Sequence, residues 1–354
     1  MRILRGYLFR SIVAMTGLVL AVLLGLGFFI EFVGQLNDIS GDYGIPQALM
    51  FAILRLPNLA HVMLPMAVLL GALLGLGGLA NHSELTAIRA AGVSISRLAG
   101  AVMITGFVLT LITLTLGHYV GPPLDLYARQ IRTEAKHSQT GIATGRNIWI
   151  RDGNTILNIS RLGGMHGFGG VTIFSMMPGG GLEKIARADS ADVDDEDRWV
   201  LRNYAESRFV NGGVAIYESP LFVLDNNLSA DIVGLAVVRP SSLSGVELWR
   251  YIEYLQSNGL NAHRYVTVFW NRVASSIAVM PMCMLALPLV VGRMRSAGSG
   301  ARMVVGLIIG LGYFLASRSL ADGGEVFELD AALIAWLPTI ALIAITSVAL
   351  ARTR

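Results

Sequence analysis

The chain has 354 residues, of which 54% are hydrophobic and 14% charged, with a formal net charge of +3. Because soluble domains carry about 25% charged residues, this composition excludes an ordinary soluble domain and places most of the chain in lipid. Its single cysteine, Cys283, excludes an intrachain disulfide.

Six apolar runs are long enough to cross a bilayer, which takes about 20 residues. They comprise residues 12–33, 56–80, 98–120, 268–291, 303–320 and 332–351. A polar insert, residues 124–264, separates the first three runs from the last three. The sequence therefore predicts a membrane α-helical protein with six transmembrane helices in a 3 + 3 arrangement, divided into residues 1–123, 124–264 and 265–354.

Arginines in the short connections predict the orientation of the chain. They are Arg2, Arg5, Arg10, Arg89, Arg97, Arg293, Arg295, Arg302, Arg352 and Arg354. Short loops rich in arginine stay cytoplasmic, so both termini are expected in the cytoplasm and the insert outside. The insert holds 14 basic and 16 acidic residues, a balance of −2, and the rest of the chain supplies +5. The arginine excess is thus a sign of topology, and nucleic-acid binding is not expected.

The insert is predicted to be an all-β domain with flanking helices, the first of them a short polar extension of the third span over Asp125–Lys136. Pro122 and Pro123 are expected to end the third span, because proline removes a backbone donor and clashes inside a helix. Eight alternating segments follow, at residues 147–151, 155–160, 171–176, 182–188, 199–204, 208–210, 214–217 and 221–224. Such short, regularly spaced strands predict a sandwich or barrel, with a hairpin turn at residues 152–154. Apolar spacing predicts an amphipathic helix over Gly245–Ser257 that Gly259 closes.

The sequence lacks the motifs of an enzyme. Lys136 and Lys184 are the two lysines of the chain and neither follows a glycine, which excludes a phosphate-binding loop. No His-Glu-x-x-His pair occurs, and one cysteine cannot form a thiolate metal site. We therefore expect no catalytic residue, metal or cofactor on this chain.

The loop between the second and third spans contains a short amphipathic segment. Its notable residues are Ser83, Glu84, Leu85, Ile88, Arg89 and Gly92. Ser83 is a candidate N-cap, Glu84 follows where the helix dipole favours an anion, and Gly92 is a natural residue to end the helix. From these residues alone two interpretations are equally open: a plain connection, or a helix that docks on a separate motor subunit through Glu84.

A family resemblance is carried by the second span and this loop. Residues 64–80, LPMAVLLGALLGLGGLA, followed by Ser83-Glu84-Leu85 and Ala91-Gly92, resemble the LptF/LptG permease family, the membrane subunits of the lipopolysaccharide export ABC transporter. The residues FVGQL at 32–36 and the spacing Gly306-x-x-x-Gly310 resemble LptG more than its paralogue LptF, which is the alternative. With the layout of the spans, the resemblance covers essentially the whole chain.

The resemblance implies a fold, partners and a substrate. The insert would be a periplasmic β-jellyroll-like domain, and a coupling helix would occupy about residues 83–92, with Glu84 matching the acid that contacts the ATPase. The protein would lie in the bacterial inner membrane with an LptF-like second permease, an LptB-like ATPase dimer that binds ATP and magnesium, and an LptC-like single-span protein. Together they would take lipopolysaccharide from the outer leaflet of that membrane and pass it to a periplasmic bridge.

Side chains near the outer ends of the spans are the predicted lipid contacts, because lipid A presents acyl chains and phosphates. The candidates are Phe28, Glu31, Arg55, Arg129, Arg132, Arg272, Tyr313, Phe314 and Arg318. Each arginine could instead extend its charge to ordinary headgroups. Arg129 and Arg132 rank first, since they share a helix face and match basic positions of the family. The resemblance implies lysines at the positions that match Glu31, Asn37 and Asp38, but this chain has an acid or an amide at all three. Glu31 is expected to repel phosphate or to pair with Arg318.

Two G-x-x-x-G motifs, Gly71 with Gly75 and Gly306 with Gly310, allow close approach of helices. Packing within the chain is the simpler interpretation, and contact with a second subunit is the alternative.

Two rival functions belong to other classes. An ion-coupled transporter would need ionisable residues in mid-membrane, and the centres of the six runs hold none. A non-transporting scaffold for a periplasmic assembly would tolerate Glu84→Ala, whereas a permease coupled to a motor would lose transport.

Overall fold

The computed structural model describes residues 2–39, 42–137, 148–163, 167–177, 181–193, 199–210, 213–224, 238–292, 298–326 and 329–353. Within these residues the helices are α1 (Arg2–Leu36), α2 (Ile45–Asn81), α3 (Glu84–Ala90), α4 (Ile95–Thr115), α5 (Gly121–His137), α6 (Gly245–Ser257), α7 (His263–Val291), α8 (Ser299–Val326) and α9 (Ala331–Ala351). The strands are β1 (Ile148–Asp152), β2 (Thr155–Gly163), β3 (Gly167–Met176), β4 (Leu182–Val193), β5 (Trp199–Val210) and β6 (Gly213–Leu224).

In the part of the chain that the structure describes, six helical segments are long and apolar enough to cross a membrane, which confirms the six predicted spans. They lie in α1, α2, the continuous α4–α5 segment, α7, α8 and α9. Several are longer than their apolar runs; α1, for example, begins at Arg2. Polar residues that flank an apolar run can continue its hydrogen-bonded turns into the headgroup region, so hydropathy alone underestimates helix length.

The prediction that Pro122 and Pro123 end the third span is wrong. A π-helical turn, Leu116–Val120, follows α4 directly, and α5 begins at Gly121. The two prolines therefore lie in the first turn of α5, where a missing N–H costs least, and the wider π turn precedes them. The helical path consequently continues from the membrane to His137.

The membrane helices are packed around α7, which contacts α2, α4 and α9. Its residues Val279, Met282 and Cys283 are fully buried in the shared core. In contrast, α1 packs chiefly against α2, and α8 packs against α2 and α9. Much of the apolar surface of α1 and α8 therefore faces outward; Phe29 is 62% exposed and Ile308 is 64% exposed.

The first glycine motif joins α2 to α1 at very short range. A β-carbon added to Gly71 would collide with the backbone of Thr16. One added to Gly75 would lie 3.0 Å from the carbonyl oxygen of Ser11. Both glycines thus permit backbone-to-backbone contact within this chain.

The second glycine motif joins α8 to α2, but through side chains. A β-carbon added to Gly306 would collide with the end of the Leu73 side chain, and one added to Gly310 would lie 2.8 Å from Cγ of Met66. Both motifs therefore pack inside the chain, with α2 as the common partner.

The insert contains one antiparallel sheet with the strand order β1-β2-β3-β4-β5-β6. Its all-β class is confirmed, and Gly153 and Asn154 form the predicted hairpin turn between β1 and β2. The eight predicted segments are six strands, because β5 and β6 each continue across a predicted break. Polar side chains such as Glu206, opposite Tyr217, interrupt the apolar alternation there but leave the backbone ladder intact. In the described residues, the predicted jellyroll-like domain is thus a single meander.

Helix α6 confirms the predicted amphipathic helix over Gly245–Ser257, and its apolar side joins the core of the β domain. Ser244 caps it in a capping box with Glu247, whose backbone N–H lies 3.3 Å from the serine hydroxyl oxygen. Leu248 and Ile252 join Trp199 in the buried core of the domain. Gly259, at φ +63°, closes the helix.

Candidate functional site

The predicted site residues form two groups at opposite ends of α1. Tyr7 and Glu84 meet near its first residues, whereas Glu31 lies near its last. The 24 residues from Tyr7 to Glu31 span about 36 Å, more than the ~30 Å hydrocarbon core of a bilayer. The loop helix and the arginine group therefore belong to opposite faces of the membrane.

The loop helix, α3, covers Glu84–Ala90, and Ser83 does not cap it as predicted. Ser83 has φ +61° and its described side chain makes no capping hydrogen bond. An N-cap needs extended backbone angles to bring its oxygen over the first turn, and the left-handed conformation does not provide them. Glu84 is in the first turn, where the helix dipole favours its negative charge.

Gly92 ends this helix in the way that its position predicted. It has φ +86°, a left-handed conformation that suits glycine. Its N–H donates to the Arg89 carbonyl at 3.0 Å, and that of Val93 donates to the Ile88 carbonyl at 3.4 Å. This paired arrangement fixes where the chain turns back into α4.

Glu84 is held by α1. The Tyr7 hydroxyl donates to its Oε2 at 2.7 Å, although the two residues are 77 positions apart. Leu85, with 4% of its surface exposed, anchors α3 in the core of the membrane helices, and Ile88 packs against that core. Beside them, an open groove of about 400 Å³ is lined by Ala80, Leu85, Thr86, Arg89, Ala90, Val290 and Val291.

At the other end of α1, a buried carboxylate organises the arginine group. Asp125, on α5, is fully buried. Its Oδ1 accepts from Nε of Arg55 at 2.9 Å, and its Oδ2 accepts from Nε of Arg129 at 2.9 Å. Arg55 also donates through Nη1 to Glu31 at 2.6 Å. Three helices, α1, α2 and α5, are thereby joined by one set of charge-assisted hydrogen bonds.

A second pair extends the group. Arg132 donates through Nη2 to Asp38, just beyond the end of α1, at 2.5 Å. Both Arg132 and Arg55 lie over the ring of Phe51, with each guanidinium carbon 5.5 Å from its centroid. The ring of Phe51 thus makes a cation–π contact with both guanidinium groups. We call Arg55, Arg129 and Arg132 the rim arginines.

The link from the β domain to α7 also contacts this group. The Ser242 hydroxyl donates to Oδ2 of Asp125. Arg272, a further basic candidate, is buried and donates to the carbonyls of Leu243 at 2.9 Å and Ser241 at 3.2 Å. Arg272 therefore holds the link in place and lies inside the protein, near Asp125 but not at the exposed surface of the rim.

Arg318 does not join the rim arginines, and the suggested pair between Glu31 and Arg318 is wrong. Glu31 pairs with Arg55, and Arg318 pairs along its own helix with Asp322 at 3.1 Å. Side chains one helical turn apart meet readily, so Arg318 had a local partner.

The predicted aromatic contacts divide by environment. Phe28 stacks on Phe32, with ring centroids 6.1 Å apart. Tyr313 points inward, where its hydroxyl lies 3.1 Å from that of Thr339. Phe314, in contrast, is 41% exposed on the outer surface of α8. Phe28 and Phe314 thus remain available to an apolar ligand, whereas Tyr313 packs between helices.

Sequence reasoning missed Asp125 and Ser242, and it identified Asp38 only as a departure from the family. A local signal existed for Asp125, since it stands four residues before Arg129 on one helix. No comparable signal marks Ser242, which is 117 residues from Asp125.

Comparison with known proteins gives a family to this geometry. The model of the family "Lipopolysaccharide export system permease LptF/LptG" matches residues 6–352. The chain is 31% identical over 340 residues to LptG of Escherichia coli strain K12, covering 95% of this chain and 94% of that protein. It is 29% identical over 350 residues to LptG of Haemophilus influenzae, covering 98% of each. LptF of Escherichia coli strain K12 is 26% identical over 351 residues, covering 95% of this chain and 91% of that protein.

These matches span nearly the full length of both compared proteins, and sequence identity is higher to the LptG relatives than to the LptF relative. The chain therefore belongs to the LptF/LptG family, the permeases of the lipopolysaccharide export system.

Proposed function

We propose that this chain is the LptG-type permease that takes lipopolysaccharide from the outer leaflet of the inner membrane and passes it to a periplasmic bridge. One observation carries the proposal: the rim arginines gather at one end of α1, α2 and α5, in a protein whose α1 and α8 turn much of their apolar surface outward. An apolar wall topped by cations matches a ligand with acyl chains below a phosphorylated sugar.

The orientation follows from the arginines of the short loops. They place both termini and α3 in the cytoplasm and the β domain in the periplasm. The rim arginines then lie at the periplasmic face, where lipid in the outer leaflet presents its headgroup. The same orientation gives α3 access to a cytoplasmic motor.

The energy for transport comes from partner chains. An LptF-like second permease completes the cavity, an LptC-like single-span protein joins it, and an LptB-like ATPase dimer binds ATP and magnesium. Helix α3 is the contact with this ATPase: Leu85 anchors it, Glu84 is set by Tyr7, and Arg89 borders the adjoining groove. Because these contacts hold α3 against the membrane helices, a movement of the ATPase is passed on to those helices.

Purification of the tagged chain from its own host in mild detergent tests the proposal. We expect a second permease and an ATPase in the complex, with ATP turnover that changes when lipopolysaccharide is added. The chain alone should hydrolyse no ATP. Recovery of the chain with periplasmic partners only, and no ATPase, would favour the scaffold and reject this function.

Glu84→Ala separates coupling from assembly. Because Glu84 is the acid of α3 and is already oriented by Tyr7, its loss should reduce lipopolysaccharide-dependent ATP turnover at least tenfold, the effect of about 1.4 kcal/mol. Tyr7→Phe, which removes only the orienting hydrogen bond, should give a smaller loss. Normal turnover and export with Glu84→Ala would contradict a coupling role for α3.

A further inference from the structure

We propose that Glu31 and Asp38 set the substrate specificity of this permease by neutralising the rim arginines, so that it binds lipid A with little preference for phosphate charge. This inference rests on the proposed function, since it concerns the same rim.

The ion pairs of the rim balance. Three arginines, Arg55, Arg129 and Arg132, are paired with three carboxylates, Glu31, Asp38 and Asp125, so the paired charges sum to zero. A neutral group of charges attracts a distant phosphate weakly, because its positive and negative contributions cancel. Arg272, which also interacts with Asp125, is buried behind the link. At the exposed surface the two acids therefore weaken the positive field of the rim, while its guanidinium groups remain hydrogen-bond donors.

The three acids differ in burial, and that difference assigns their roles. Asp125 is fully buried and holds two arginines and Ser242, so it belongs to the structure of the rim. The side chains of Glu31 and Asp38 are 28% and 41% exposed. A ligand can reach these two acids and the arginines beside them, whose side chains are 25–30% exposed.

Glu31 accepts from Nε2 of Gln35 on its own helix at 3.2 Å, but the dipole of α1 favours neither exposed acid. Glu31 lies near its carboxyl end and Asp38 follows its last residue by two positions. The carboxyl end of a helix carries partial negative charge, so acids there are unfavourable. Their favourable contacts in the rim are with Arg55 and Arg132, and their effect is to remove positive charge from the surface that a lipid headgroup would meet.

The test compares lipid A that carries two phosphates with enzymatically dephosphorylated lipid A. Binding of each is measured to the complex purified with its partners, for the wild type and for the double variant Glu31→Gln with Asp38→Asn. The wild type should bind the two lipids within about threefold of each other. The double variant should favour the phosphorylated lipid by about tenfold, since two exposed ion pairs no longer occupy the arginines.

Asp322→Asn is the matched control, because it breaks an exposed pair with Arg318 outside the rim. It should leave the ratio of the two affinities unchanged. If the double variant fails to assemble with the ATPase, Glu31→Gln alone carries the test, since Arg55 keeps Asp125 as a partner; a threefold shift toward the phosphorylated lipid is then expected.

The outcomes separate this inference from the function on which it rests. If the wild type binds both lipids but already favours the phosphorylated one more than about threefold, or if the variants do not move the ratio, the specificity role is rejected and the permease function stands. If the wild type binds neither lipid, the proposed function fails and this inference fails with it.

Discussion

Glu206, on β5, carries a charge inside the β domain. It accepts hydrogen bonds from the Tyr204 hydroxyl at 2.6 Å and from Nζ of Lys184 at 3.0 Å, and it pairs with Arg208. Burial raises the pKa of this carboxyl, but the hydrogen bonds from Tyr204 and Lys184 outweigh it, so the pKa is below its ordinary value of 4.5. The ionised form is thus the one that the folded sheet stabilises.

Glu206→Gln should lower the free energy of unfolding of the full chain by about 1–3 kcal/mol, because Lys184 and Arg208 lose a buried charged acceptor. Since the folded pKa is depressed, this contribution is present above the ordinary carboxyl pKa and is lost as the pH falls through the folded value. Thermal unfolding in detergent should show a difference between wild type and variant at pH 7 that shrinks below pH about 4.5. The exposed Glu218 provides the control, Glu218→Gln, with no such difference.

At the scale of elements, α2 holds α1 and α8 by contacts of different stiffness. The α1 contact at Gly71 is against the backbone of Thr16, which cannot move aside without moving the helix. The α8 contact at Gly306 is against the end of the Leu73 side chain, which can rotate. Added volume should therefore be resisted at the first contact and absorbed at the second.

Gly71→Ala should destabilise the protein by about 1–3 kcal/mol, whereas Gly306→Ala should cost less. Gly78→Ala is the control: Gly78 lies on α2, like Gly71, but an added β-carbon there meets open space, so the variant should match the wild type. The midpoint of thermal unfolding in detergent ranks the three variants. Equal midpoints for Gly71→Ala and Gly78→Ala would mean that α1 and α2 do not touch at Thr16.

Elements with local signals could be predicted from the sequence, and those that depend on a neighbour could not. The apolar spacing of α6 and the glycine that closes it, Gly259, are local signals, and they predicted its bounds. The prediction from Pro122 and Pro123 was wrong because the π-helical turn that precedes them lets the helical path continue. The continuity of β5 depends on pairing with β4 and β6, which hydrophobic alternation does not encode.

At the scale of the whole molecule, Asp125 joins parts that are distant in sequence. Arg55 is 70 residues away, Ser242 is 117 residues away, and the latter leads from the β domain into the membrane helices. The arginines of the rim were predicted individually, from charge at the ends of spans. Their arrangement could not be, because each pairing partner is chosen by the packing of α1, α2 and α5.

Asp125→Asn should destabilise the protein by about 3–5 kcal/mol, since it removes a buried charge and leaves two arginines without it. Asp322→Asn removes an exposed partner of Arg318 and should cost less than about 1 kcal/mol. Thermal unfolding of the purified complex, together with recovery of the ATPase, measures both. A fully stable Asp125→Asn complex would show that Asp125 does not hold these elements together.

The bonding of α1 at both ends has a mechanical consequence. Helix α1 is continuous from Tyr7, which contacts Glu84, to Glu31, which contacts Arg55. A displacement of α1 at its first turns is therefore expected to move Glu31 at its opposite end. Close contact at Gly71 and Gly75 makes α2 follow the same movement. We expect α1 and α2 to move together as one rigid pair, whereas α8 can shift against α2 because its contacts are with the side chains of Leu73 and Met66.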